Sequence, residues 1–373
     1  MIYLDSAATS LQKPPSVARA TAWAIRNLAS PGRGGHAAAM KAAQTVYHCR
    51  EEAAKLFSVP DPENIIFTFN ATHALNIAIK SIVKPGCRVV ISGYEHNAVT
   101  RPLASIPDIT ISVARGKLFD PEEMLQAFQR ELTKKTDAVI CTHVSNVFGF
   151  VLPVEEIGRL CREKGIHFIV DASQSAGSIP LSFSSLNADY VAMPGHKGLY
   201  GPQGTGLLLC GSIPEPILEG GTGSESRSQE MPEFLPDRLE AGTHNVAGIA
   251  GLLEGLRYLN WQSVAQVGQR ERDLIRMTGE RLSQFDNVKT YWSGNGNAQS
   301  NVLSFQLVDR DCEVAAEQLA DKGFALRAGL HCAPLAHETA GTLESGTIRM
   351  SVSAFNSREE ITCFLRAMEK LAK

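Results

Sequence analysis

The sequence predicts an α/β protein, with a mostly parallel sheet covered by helices and a smaller α/β domain towards the C-terminus. Two observations carry this. Short apolar runs of β type alternate with helical segments between residues 65 and 209, the rhythm of strand–helix–strand units. Polar residues also fall just after the strand runs: Thr72, the loop holding His96, Asn146, Asp171 and Lys197. In such sheets ligands bind outside the carboxyl ends of the strands, so these residues are expected along one edge. The length of 373 residues, with 44% hydrophobic and 20% charged content, is ordinary for a soluble chain of two domains.

Residues 1–16 read as extended and loop-like, and Ser16 to Leu28 as a helix. The run Ser30-Pro31-Gly32-Arg33-Gly34-Gly35-His36 breaks regular structure, and its glycines let backbone approach a ligand. Ala37 to Phe57 is alanine-rich and helical. Ile65 to Phe69 is a strand, followed by Asn70-Ala71-Thr72 and a helix from His73 to Val83. Strand, polar turn and helix point backbone N–H groups at a phosphate, although plain N-capping by Asn70 or Thr72 is the commoner role. Strands follow at Arg88–Ile91, Ile109–Val113, Ala138–Thr142 and His167–Val170, with helices opening at Asp120 and spanning Glu155–Lys164. Asp120-Pro121-Glu122-Glu123 has an N-cap, a proline at N1 and acids in the first turn. Ala188–Ala192 and Thr205–Leu209 are strands enclosing Pro194-Gly195-His196-Lys197-Gly198. A long loop, Gly211 to Gly242, is a candidate binding or interface segment. Then come a helical run from Val246 to Phe285, a strand at Asn301–Leu307, a helix at Cys312–Asp321 and a strand at Thr347–Ser351. Ser357-Arg358-Glu359-Glu360 is a capping box that opens a last helix.

Composition excludes several functions. A net charge of −3 gives no electrostatic case for nucleic acid or an anionic membrane. No apolar run approaches the roughly 18 residues of a spanning helix, and the N-terminus lacks a signal-peptide pattern. The eight cysteines form no CxxC pair, which disfavours zinc ribbons and thioredoxin-type motifs. They read as free thiols of a reducing cytoplasm, most of them inert in the core, and no metal site is expected.

One pairing points to chemistry. Asp171 ends an apolar strand, and Lys197 follows a later one inside a glycine-rich loop. A lysine is expensive to bury unless paired or chemically used. An acid and a lysine so placed are what pyridoxal phosphate needs, an amine for its aldehyde and a carboxylate for its pyridine nitrogen.

The combined pattern resembles the class V aminotransferase superfamily of fold-type I pyridoxal phosphate enzymes, in its cysteine desulfurase and selenocysteine lyase branch. The resemblance runs from Tyr3-Leu4-Asp5-Ser6-Ala7-Ala8-Thr9 to Arg349-Met350-Ser351. It implies a large domain of residues 17–250 with a mostly parallel seven-stranded sheet, and a small domain of residues 1–16 and 251–373. It implies pyridoxal 5'-phosphate as cofactor, Lys197 as the Schiff-base lysine, Asp171 as partner of the ring nitrogen, Gln174 as donor to the ring oxygen and His96 stacked on the ring. Ala71, Thr72 and His196 match the phosphate site, and Thr222 is expected to reach the phosphate of a neighbouring subunit. Asn146 and Arg327 match the place of the substrate carboxylate, and His36 is a further substrate-side candidate. Arg349 is left open between such a role and an ion pair of the fold.

Cys332, in Arg327-Ala328-Gly329-Leu330-His331-Cys332-Ala333-Pro334, matches the persulfide-forming cysteine of the branch with the shorter catalytic loop, and His331 beside it is a candidate for favouring the thiolate. The implied function is conversion of L-cysteine to L-alanine with a persulfide on Cys332. The alternatives are a selenocysteine lyase, a class V aminotransferase, or a non-catalytic sulfur or metal carrier, which would leave the Asp171, Gln174 and Lys197 set unexplained. The resemblance also implies a homodimer and a small sulfur-acceptor protein. Two positions depart from the pattern: Pro194 stands where a phosphate-binding serine is frequent, with Thr222 or Ser224 as candidate substitutes, and His73 stands where an acid is frequent.

Overall fold

The computed structural model describes residues 1–32, 34–294, 296 and 298–371; Arg33 of the glycine-rich loop lies outside them. The central sheet has seven strands, in the order Ile65–Thr68, Gly206–Cys210, Tyr190–Pro194, His167–Asp171, Ala138–Thr142, Arg88–Ser92 and Thr110–Ala114. Only Gly206–Cys210 runs against its neighbours. Most of its strands are buried on both faces, so they read as continuous apolar runs. Alternate residues feed two cores. Val139, Phe168, Val170 and Val191 face helices Ala37–Phe57, Pro121–Glu131, Val154–Lys164 and Val246–Gln262. Ile140, Ile169 and Ala192 face helices Ala71–Ile82 and Asn97–Ala104. Each fully buried Phe or Ile contributes about 1.5–3 kcal/mol.

A second sheet of four antiparallel strands, Arg327–Gly329, Thr347–Ser351, Val302–Leu307 and Val288–Tyr291, packs a third core with Leu274, Ile275 and Phe364. Leu4 from the N-terminus joins it.

Three details differ from the sequence reading. Residues 1–16 are not all loop: Ile2–Tyr3 pairs in parallel with Phe324–Ala325. The helical run 246–285 is two helices, Val246–Gln262 and Val264–Leu282, broken at Ser263, whose φ of 68° is left-handed. The first of them packs Leu252, Leu256 and Leu259 into the main core, so a boundary at 250 cuts through an element that stays with the large sheet. The capping box at Ser357 forms as expected, with Glu360 N donating to Ser357 Oγ at 3.2 Å and Ser357 N to Glu360 Oε2 at 3.0 Å.

Candidate active site

The strands ending at Thr68, Ser92, Thr142, Asp171 and Pro194 leave the sheet at the same edge. A cavity of about 100 Å³ there is lined by Ala71, Thr72, His96, Asn146, Asp171, Gln174, His196 and Lys197. Eight of the candidates thus come from five separate segments.

Lys197 is held from two sides. Gly198 packs against the carbonyl of Ala176, and Gly177, at φ 89°, against the carbonyl of Gly198. A Cβ at Gly177 would lie 2.1 Å from that oxygen, so the Lys197 loop locks onto the loop after Asp171 only through glycines. Burial lowers the Lys197 ammonium to about 8; Asp171 opposes the shift, while Arg349 and Arg327 add to it. An amine at that value is partly neutral, hence nucleophilic, near neutral pH. Asp171 is 2% exposed and accepts the Ser173 N–H at 2.9 Å.

His96 caps helix Asn97–Ala104 by accepting the Ala98 N–H on Nδ1 at 3.0 Å. Burial holds its pKa below the ordinary imidazole value against the pull of Asp171, so the ring is neutral with its proton on Nε2. Asn70 caps helix Ala71–Ile82 through its Oδ1, which accepts the His73 N–H at 2.9 Å. The N–H groups of Ala71 and Thr72, in the first turn, have no intrahelical acceptor, and both residues line the cavity. His196 Nδ1 meets Thr9 Oγ1 at 3.1 Å; burial, then Lys197 and Lys13, lower it to about 4. Gln174 Nε2 donates to Ala7 O at 3.0 Å.

The arginines behave differently from each other. Arg349 is buried, with Nη2 on Asp5 Oδ1 at 2.8 Å and Nη1 donating to Asn146 O at 3.0 Å. Its two terminal nitrogens are therefore engaged within the fold, while its buried Nε has no partner. Arg327 is half exposed, with Nε 3.5 Å from Asp5 Oδ2, and is freer to meet a ligand. Asp5, which sequence reasoning passed over, sits between them; its partner Arg349 is 344 residues away, and no local pattern signals that. Ser173 and Thr142 also line the cavity without having been singled out. Asn146 donates from Nδ2 to His331 O at 2.8 Å, while its buried Oδ1 has no partner.

Cys332 is one of two exposed cysteines, with Cys363; Cys49, Cys141, Cys161, Cys210 and Cys312 are buried and all eight are free. Cys332 O accepts the Asn97 N–H at 2.8 Å, which hangs the cysteine loop next to His96. His331 and Cys332 both have left-handed φ, 50° and 57°, a conformation costly for side chains with a Cβ. His331 does not serve as a cationic neighbour for the thiol. Its Nε2 meets Thr347 O at 3.1 Å, and burial, reinforced by Arg349, drives its pKa to about 2.

Two candidates stand apart within the one chain. Thr222 bonds Ser224 at 3.1 Å and lines a different cavity of about 430 Å³ with Ser30, Tyr47, Arg50 and His244. His36 caps helix Ala37–Phe57, accepting the Ala39 N–H at 3.4 Å. Pro194 lines the Lys197 cavity.

A lysine and an aspartate facing each other at the strand ends of such a sheet define a class of fold. The chain belongs to that family: the Aminotransferase class-V description matches residues 2–364. More narrowly, it is similar to a probable cysteine desulfurase of Methanothermobacter thermautotrophicus, 30% identical over 100% of this chain and 94% of the relative. A probable cysteine desulfurase of Pyrococcus abyssi is 31% identical with the same coverage. Among solved structures, the apo cysteine desulfurase of Thermococcus onnurineus NA1 superposes with a TM-score of 0.93 at 31% identity, covering 100% of this chain and 94% of that one. The cysteine desulfurase CsdA of Escherichia coli does so at 0.88 and 26%, covering 99% and 94%. Among the described residues no His, Cys, Asp and Glu cluster is placed to hold a metal, and no helix is long and apolar enough to cross a membrane.

Proposed function

We propose that this chain is a pyridoxal phosphate-dependent cysteine desulfurase that converts L-cysteine to L-alanine and carries the sulfur as a persulfide on Cys332. The observation that carries the reading is one arrangement: a lysine held at about 8 opposite Asp171, beside an exposed cysteine whose backbone is fastened next to His96. The similarity to named cysteine desulfurases over the whole chain supports it.

The residues fit the cofactor. Lys197 offers an amine, Asp171 a buried carboxylate, the Ala71 and Thr72 N–H groups an anion cradle at a helix N-terminus, and His96 a neutral ring. When bound, pyridoxal 5'-phosphate supplies an aldehyde for the Lys197 amine and a ring that withdraws electrons from the substrate's Cα. Gln174 and His196, which line the same cavity, would complete the set that holds it. Arg327 pairs with the substrate carboxylate, helped by Asn146, whose unpartnered Oδ1 is left to accept from the ammonium side. Lys197 Nζ takes the Cα proton and returns one later. Cys332 Sγ, as thiolate, attacks the substrate sulfur: an S–S bond forms, the C–S bond breaks and its electron pair stays on the carbon that leaves as alanine.

The division into a large domain, a small domain and an N-terminal segment belonging to the small one is also proposed, with the boundary at Ser263. A homodimer is inferred, in which Thr222, and with it His36, serves the partner's site. A thiol or a small acceptor protein takes the sulfur.

Alanine and sulfide release from L-cysteine with a thiol reductant tests the reading. Wild type is expected to make alanine, Cys332→Ala to lose at least about 100-fold, and Lys197→Ala to hold no cofactor that borohydride can trap. Unchanged turnover in Cys332→Ala sinks the nucleophile assignment.

A further inference from the structure

Helix Val264–Leu282 carries one buried acid that the proposed chemistry does not use. Glu271 is 1% exposed, and among the described residues no basic group lies within ion-pair distance of it. Its Oε1 accepts from Tyr200 Oη at 3.4 Å, and its Oε2 has no partner. Tyr200 belongs to the lysine turn: its N–H donates to Lys197 O at 3.0 Å and its own φ is 57°. On the other side, Ser178 and Asn301 line the same small cavity as Glu271, and Asn301 Nδ2 donates to Ser178 Oγ at 3.3 Å. Ser178 follows Gly177, the residue locked against Gly198. One carboxyl group therefore bonds the turn of Lys197 on one side and faces the Ser178 loop across a small cavity on the other.

Between them lies a cavity of about 10 Å³, bounded by Glu271, Lys197, Gln174, Ser178, Tyr200 and Asn301. That is room for about one water, and its walls offer the two to four polar partners a buried water requires. The unpartnered Oε2 of Glu271 is the group such a water would satisfy.

We propose that Glu271 is a positioning residue for Lys197, acting as an uncharged acid that joins the Lys197–Tyr200 turn to the Ser173–Ser178 turn directly and through one water. This rests on the reading of Lys197 as the reactive amine. Burial supports the uncharged form, since it raises the carboxyl to about 8, against Ser178, Tyr200, Arg272 and Asn301, which pull it down. Tyr258, also beside it, feels Glu271 and Arg270. Around Lys197 the charged groups are Asp171, Arg349, Arg327 and Asp5, with His196 adjacent; none changes in the variants below. Once Glu271 ionises, its proton goes to solvent, the carboxylate no longer donates to the water, and the two turns part.

The test uses protein stripped of cofactor and reads the reactivity of Lys197 towards acetic anhydride by mass spectrometry of its peptide, as a function of pH. Wild type is expected to rise as the amine deprotonates and to fall again above about 8, a bell-shaped profile. Glu271→Gln, uncharged at every pH, keeps the rise and loses the fall. Glu271→Leu is slower throughout by roughly tenfold, the size of one buried hydrogen-bond arrangement. Tyr200→Phe removes a donor that lowers the acid, so its alkaline fall moves to higher pH; this variant decides the matter if Glu271→Leu does not fold. A wild-type profile without an alkaline fall, or a Glu271→Gln profile that matches wild type, overturns the proposal. Borohydride trapping of the cofactor on the Lys197 peptide of wild type is a separate result: its failure removes the reading of Lys197, whereas a labelling profile without the Glu271 effect removes only the positioning role.

Discussion

Arg327 and Arg349 look alike in the sequence and differ in the fold. Arg349 lies on a central strand of the small sheet, buried, with its charge answered by Asp5. Removing Arg349 leaves Asp5 only its long contact with Arg327 and the Asn146 carbonyl without its donor, which costs roughly 1–3 kcal/mol. Arg349→Ala is therefore expected to unfold at distinctly lower denaturant. Arg327 is half exposed and its contact with Asp5 is long, so Arg327→Ala should cost under about 1 kcal/mol while raising KM for L-cysteine at least tenfold. Denaturant melts and steady-state kinetics on the two variants check this. Equal stability losses would mean that Arg349 is not the fold's own arginine. His331 makes the same point: next to Cys332 it reads as a helper of the thiol, but burial keeps it neutral and its ring faces Thr347.

At the level of elements, helix Val264–Leu282 approaches the site more closely than its place in the small core suggests. Gly268 rests on the carbonyl of Ser178, and a Cβ there would come within 1.9 Å of that oxygen. Gly268→Ala must push the helix, and Glu271 with it, away from the lysine loops. A loss of about 1–3 kcal/mol is expected from such overpacking, read as a lower melting temperature. The variant should also slow acetylation of Lys197, in the direction expected for Glu271→Leu, while making the loop easier to cut by proteases. Helix Val246–Gln262 lies against the helices Pro15–Asn27 and Ala37–Phe57, and the break at Ser263 lets the next helix turn towards the small sheet.

Across the whole molecule, buried titratable groups shape the pH range of stability. Glu95 and Glu271 are raised by burial from 4.5 to about 8. The folded chain then keeps protons that the unfolded chain has released, so their contribution is lost as pH rises from about 4.5 through 8. His143, His196 and His337 are lowered from 6.5 to about 4, so below about 6.5 the unfolded chain takes protons that the fold refuses. Lys13 and Lys197, lowered from 10.5 to about 8, favour the fold as pH rises beyond 8. The melting temperature of the cofactor-free protein should therefore peak near pH 6.5, fall towards 8 and level off just above it, before the thiols of Cys49, Cys141, Cys161 and Cys210, raised by burial, draw it down again at more alkaline pH. Glu95→Gln or Glu271→Gln should flatten the fall between 6.5 and 8. Calorimetry at half-unit intervals checks this, and a melting temperature that climbs steadily from 6.5 to 8 would refute it.

Much of the architecture is legible in the sequence because buried parallel strands and their covering helices are local patterns. Ala138–Thr142, Ala37–Phe57 and Cys312–Asp321 have the predicted boundaries. The short strands Ile2–Tyr3 and Arg327–Gly329 are not legible, since two or three residues carry no periodicity and exist only through pairing with distant partners. The same division runs through the site. By itself the sequence determined the alternation of strands and helices, and that alternation set Thr72, His96, Asn146, Asp171 and Lys197 at strand ends, because a strand's end is written in its own residues. Tertiary structure alone decided that Asp5 answers Arg349, that His331 stays neutral, that Thr222 lies in another cavity, and that Glu271 stands behind Lys197. Each of those depends on the distance between segments far apart in the chain, and on how much water the packing leaves between them.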